Sequence, residues 1–157
     1  MSLAGLVFLT GCQPIDPATA ATTEYLTRLQ PLLYENSVLA EQVLYRAAAI
    51  YNKAARPDQI ADQWTAEVVP VAEHLHYQAS FLAAPETWGP VHADLVSIWG
   101  DRADAYRSLG EAIRLADQER WVKSRDLAND ATIREDQWFI KLNDALGLLS
   151  MVADPLP

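Results

Sequence analysis

The chain has 157 residues, half of them hydrophobic, with 21 acidic against 12 basic residues and a formal net charge of −9. Length and apolar content fit one domain with a sizeable core. The acidic balance speaks against nucleic acid as a partner and against electrostatic attraction to anionic lipid.

The chain opens on an apolar run, residues 3–9, that ends in Leu9-Thr10-Gly11-Cys12, and Cys12 is the only cysteine. The run is too short to span a bilayer. Gly11, Pro14 and Pro17 break any helix that would join it to the following segment. Met1-Ser2 brings no Lys or Arg ahead of the run, so a signal peptide here is expected to be truncated at its start. Leu9-Thr10-Gly11-Cys12 resembles the lipobox of bacterial lipoproteins. The resemblance implies a signal peptide over 1–11, cleavage before Cys12, a diacylglycerol on its sulfur and a lipidated linker over 12–21. Two or three acyl chains on one cysteine anchor a protein almost permanently. The implied location is the cell envelope outside the cytoplasmic membrane. Gln13 stands where Asp retains enteric lipoproteins at the inner membrane, which leaves inner and outer membrane both open. Acylation uses the sole thiol, so no disulfide forms and stability comes from the core. The covalent lipid is the one attached group expected, with no cofactor.

From residue 18 onward the apolar spacing is helical throughout. Asp16-Pro17 pairs an N-cap with a proline at the first helical position. Arg56-Pro57 and Ala84-Pro85 end helices, and Asp117 starts one after a tight turn. The spacing predicts helices over 22–55, 58–83, 88–116 and 119–151, and a tail over 154–157. Four similar helices joined by short turns predict an all-α, antiparallel, up-down-up-down four-helix bundle over 22–153.

The expected core stripes run through Leu26, Leu29, Leu33, Ala40, Val43, Ala47 and Ile50 in the first helix and Ile60, Trp64, Val68, Val71, Leu75, Ala79 and Leu82 in the second. The third contributes Val91, Leu95, Trp99, Tyr106, Leu109 and Ile113. The fourth contributes Trp121, Ala128, Ala131, Trp138, Leu142, Ala145 and Leu149. Pro31 and Pro70 fall inside helices and are expected to kink them. Gly100 is expected opposite Pro70 at a close helix approach.

Chemistry is sparse. A di-iron site of the ferritin type needs two Glu-x-x-His motifs. The chain has one, Glu73-His74-Leu75-His76, which excludes that site. A weaker metal site could use His74, His92 and Glu35, which antiparallel counting places at a similar height. His76 is expected to face solvent. Glu135 falls on the apolar stripe of the last helix, and an unpaired carboxylate there would be costly. Arg102 stands at a compatible height, so a buried polar pair is expected. Trp88 and Trp121 begin helices, where an open face would make them candidates for partner contact. There is no cysteine nucleophile beyond Cys12, no Gly-rich phosphate loop and no Ser-centred elbow.

These readings point to a non-enzymatic, lipid-anchored bundle acting as accessory or scaffolding subunit of a membrane or envelope complex. Its partners would be the membrane, through the anchor, and a protein. Its shape is similar to lipoprotein extrinsic subunits of bacterial energy-transducing complexes. The competing reading is a metal- or small-ligand-binding bundle built on His74, His92 and Glu35.

Overall fold

Asp16 opens the first helix. Its carboxylate accepts from the Thr19 backbone N–H at 3.1 Å, and Pro17 fills the first helical position, where no donor is needed. The computed structural model describes residues 16–52 and 56–153, with side chains up to residue 147. Cys12, the tail over 154–157 and the Leu149 side chain lie outside the described residues. Helix α1 runs Pro17–Tyr51, α2 Pro57–Gln63, α3 Val69–Phe81, α4 Gly89–Leu115 and α5 Gln118–Ala153. The cap at Asp16 draws α1 back to Pro17, so residues 17–21 of the expected linker over 12–21 are helix.

The fold is all-α, a helical bundle, with no strand among the described residues. Cross-helix pairs fix the senses. Along α4 and α5 they run Asp94–Lys141, Asp101–Arg134 and Glu111–Arg120. Along the α2–α3 run and α4 they run Asp62–Arg114 and Glu73–Arg107. In both sets one number rises as the other falls, so these neighbours are antiparallel. Between α1 and α4, Tyr25 meets Trp88 and His92, and Asn36 meets Arg102, so those two are parallel.

Helix α2 continues into α3 through a π-helical turn, Trp64–Val68. The cause is Pro70. With no N–H at 70, the Ala66 carbonyl loses its usual donor. The chain widens by one residue, so that the Val69 N–H reaches the Trp64 carbonyl. The close approach beside this turn is made by Gly110: a Cβ there would lie 3.2 Å from Trp64 Cδ1 and 3.3 Å from Thr65 Oγ1. Gly100, expected there, instead faces His76, whose Nε2 would lie 3.1 Å from an added Cβ. His76 is therefore half-buried against α4 rather than facing solvent.

The turn between α4 and α5 is closed by the Ala116 N–H to the Ile113 carbonyl and the Asp117 N–H to the Ala112 carbonyl, a Schellman closure. Ala116 is left-handed, φ 52° and ψ 33°. The Asp117 carboxylate then caps α5 at the Arg120 N–H, 2.9 Å away.

The core is continuous from Tyr25, Trp88 and Leu142 at one end to Trp64 and Leu109 toward the other, where Ile60, Ala61 and Ile113 form a satellite cluster. Trp121 packs against both. Helix α1 departs from expectation. Its core repeat runs through Tyr25, Leu29, Leu32, Asn36, Leu39, Val43, Arg46 and Ile50, flanked by half-buried Leu26, Leu33, Glu35 and Gln42. That is a strict 4-3 repeat with two polar members. Ala40 and Ala47, expected in the core, are exposed.

Candidate functional site

A polar cluster in the bundle interior is built from three helices. Arg102 of α4 donates through Nη2 to Glu135 Oε2 at 2.8 Å and through Nη1 to Asn36 Oδ1 at 2.9 Å. Asn36 of α1 donates through Nδ2 to Glu135 Oε1 at 3.1 Å, and Trp99 donates its indole N–H to the same oxygen at 2.6 Å. Arg102, Asn36 and Glu135 are 4%, 6% and 7% exposed. A buried carboxylate is tolerable only when paired and hydrogen-bonded, and here both oxygens are engaged. Beside it, burial pushes the Tyr106 hydroxyl above its ordinary pKa, with smaller opposing effects from the Arg102 and Glu135 charges. The Glu135–Arg102 pair was visible as a carboxylate on an apolar stripe. Asn36 was not, because nothing local distinguishes it from a surface asparagine on α1.

A second polar node lies near the start of α1. His92 Nδ1 is 3.1 Å from the Tyr25 hydroxyl, and the ring makes a further hydrogen bond with the Ala79 backbone. That second bond favours the protonated ring, so the ring donates to the carbonyl and, when neutral, accepts at Nδ1 from Tyr25. Burial pulls the His92 pKa below its ordinary value, against the Ala79 bond. Burial also pushes the Tyr25 hydroxyl up to about 12. The node ties α1, α3 and α4 together.

The proposed metal trio is not assembled. His74 projects to solvent, Glu35 is half-buried on α1, and His92 is occupied by Tyr25 and Ala79. No group of three or more metal-capable side chains occurs among the described residues. The correction has a simple cause: similar height along a bundle does not set the angle around each helix, and His74 points away from α4. Trp88 is also corrected. It is 3% exposed, packed against Tyr25 with ring centroids 6.1 Å apart, and its indole N–H reaches Thr22 Oγ1 at 3.2 Å. The short 3₁₀ turn Glu86–Trp88 folds it inward. Trp121 is half-buried in the core.

Sequence reasoning missed the outward face of α1. Tyr34, Leu44, Tyr45 and Tyr51 are 72%, 70%, 77% and 88% exposed. The signal was available as an apolar series left over once the inward repeat is assigned. No helix among the described residues is long and apolar enough to cross a membrane. No protein-family model matches the chain, and no curated protein or solved structure matches it significantly.

Proposed function

We propose that the chain is a lipid-anchored, extracytoplasmic helical bundle that serves as an accessory or scaffolding subunit of a membrane or envelope complex. The observation that carries this reading is the lipobox-like Leu9-Thr10-Gly11-Cys12, with the sole cysteine placed just ahead of the capped start of α1. Membrane residence would then rest on the acyl chains. Two features support a scaffolding role. The buried Arg102, Glu135, Asn36 and Trp99 engage one another, as in a register-setting polar layer. Large apolar side chains of α1 stand in solvent, as at an interface. Confinement to one membrane raises the effective concentration of a partner, so modest contacts suffice.

The test is metabolic labelling with a fatty-acid analogue in a bacterial host, followed by membrane fractionation. The wild-type chain should take up label and sediment with membranes; Cys12→Ser should do neither. Equal membrane association without Cys12 would refute the anchor. Gentle solubilisation and identification of co-purifying proteins then tests the subunit role, and a chain recovered without any partner, its own copies included, counts against it.

A further inference from the structure

We propose that the outward seam of α1 pairs with the same seam of a second copy of this chain, in antiparallel sense. Helix α1 carries two adjacent 4-3 repeats. One faces the core and includes Asn36 and Arg46. The other, displaced by one residue, reads Leu33, Ser37, Ala40, Leu44, Ala47, Tyr51 and holds no charge. From Ser37 onward every member is exposed. A helix that buries an asparagine and an arginine while exposing leucine and tyrosine inverts the usual rule, so the outward face needs a cover.

The occupant follows from shape and charge. An isologous pair uses the same patch on both copies. Centring an antiparallel crossing at residue 42 sets Ala40 against the partner's Leu44, Ser37 against the partner's Ala47 and Leu33 against the partner's Tyr51. Beside the seam, Tyr34 lies over the partner's Ala48. Ala40 takes the partner's Leu44 in both directions, and the small Ser37 and Ala47 between the larger end pairs let the two backbones approach. Elsewhere two chains of net charge −9 repel, so self-contact is confined to an uncharged surface. The charged groups of α1 after Leu29 are Glu35, Glu41 and Arg46, and Arg46 points inward to Glu67. The area is that of a weak pair. Tyr34, Leu44 and Tyr51 together offer on the order of 450 Å² per copy. With the small seam residues this stays below the ~800 Å² per partner of a standard interface, as for a pair that dissociates on dilution. One cost remains: the two Glu41 carboxylates approach each other beside the axis, at a solvated edge.

The pairing does not depend on the anchor. If Cys12 is acylated, the starts of the two α1 helices, roughly 75 Å apart, each carry an anchor and the pair lies lengthwise on the bilayer.

Sedimentation velocity of the full chain carrying Cys12→Ser, in nonionic detergent over roughly 1–100 μM, tests it without the lipid. A dimer that dissociates on dilution is expected. Leu44→Glu should weaken it at least about tenfold with an unchanged thermal melt, since Leu44 is 70% exposed. Glu41→Gln should tighten it about two- to fivefold. In the same background, Ser37→Cys mixed with Ala47→Cys should form an intermolecular disulfide, and neither variant should do so alone. A monomer throughout, a dimer indifferent to Leu44→Glu, or self-crosslinking of Ser37→Cys would each overturn the proposal.

Discussion

Helices α4 and α5 and helix α1 solve the same packing problem in opposite ways. The α4–α5 hairpin laces its solvent edge with cross-helix ion pairs, Asp94–Lys141, Asp101–Arg134 and Glu111–Arg120, and its exposed Val122, Ile133 and Ile140 share their face with Asp126 and Asp136. Such exposed pairs add little stability, but they mark a face meant for water. Helix α1 turns Asn36 and Arg46 inward and leaves Tyr34, Leu44, Tyr45 and Tyr51 outside. Among the described residues, the ion pair that joins α1 to another helix is Arg46–Glu67, at the π-helical turn. The hairpin's exposed apolar residues stand among charges. Helix α1 reads as a helix shared between this bundle and something else.

The largest expected effect breaks the polar cluster where the two regions meet. Arg102→Ala leaves the Glu135 carboxylate buried without its cation and should cost about 3–5 kcal/mol of unfolding free energy by chemical denaturation. The combined change Arg102→Met, Glu135→Leu and Asn36→Leu should recover part of that loss, because apolar residues remove the desolvation penalties and only the Trp99 N–H loses its acceptor. A single-variant loss below about 1 kcal/mol would mean that water reaches the cluster. A smaller effect isolates the contribution of α1. Asn36→Leu strips a partner from both Arg102 Nη1 and Glu135 Oε1 and should cost about 1–3 kcal/mol. A substitution on the outward face, such as Tyr45→Gln, should move monomer stability by no more than about 0.5 kcal/mol.

Much of the bundle was legible because α2 through α5 bury the apolar stripe that their spacing marks, and because Asp16, Pro57, Pro85 and Asp117 mark helix ends. Helix α1 was misread for a definite reason. Its true core repeat contains Asn36 and Arg46, while the neighbouring repeat contains Ala40, Leu44 and Ala47. Counting hydrophobic residues therefore places Ala40 and Ala47 in the core instead of Leu39 and Arg46, one position and about 100° away, while Leu26, Leu29, Leu33, Val43 and Ile50 are buried or half-buried as expected. A second slip concerns the register of α3 against α4. The extended residues after Phe81 and the Glu86–Trp88 turn set it, so that Gly100 meets His76 and Gly110 meets the π turn. Glu135 could be found from sequence because a carboxylate on an apolar stripe is conspicuous. The Tyr25–His92 node could not, because its partners lie 67 residues apart.

That node gives a pH-dependent comparison of the two regions. His92 is held below its ordinary pKa, so the folded state binds fewer protons than the unfolded one near and below pH 6.5. Its contribution is fully present above the unfolded pKa and is lost as pH falls through the folded value. Thermal melts of wild type and His92→Gln between pH 7.5 and 5 should therefore converge toward acid, as the wild type loses this contribution and the variant does not. Hydrogen exchange should locate the loosening at the start of α1, with the middle of α4–α5 unchanged. Parallel pH curves would remove His92 from the account.

The smallest expected effect falls on the hairpin itself, at the one strained backbone position among the described non-glycine residues. Ala116 is the left-handed residue of the Schellman closure, a place where glycine avoids the clash between Cβ and the following carbonyl. Ala116→Gly should stabilise the chain by about 0.5–1 kcal/mol, because relieved strain outweighs the added freedom of the unfolded chain. The melting temperature should rise by about 2–4 °C. Ala116→Val should lower it, because a β-branched side chain fits this conformation worse than alanine does. The gain must appear equally in the Leu44→Glu background, since the corner and the α1 seam share no contact; coupling between them would mean that the hairpin and α1 are not separable regions at all.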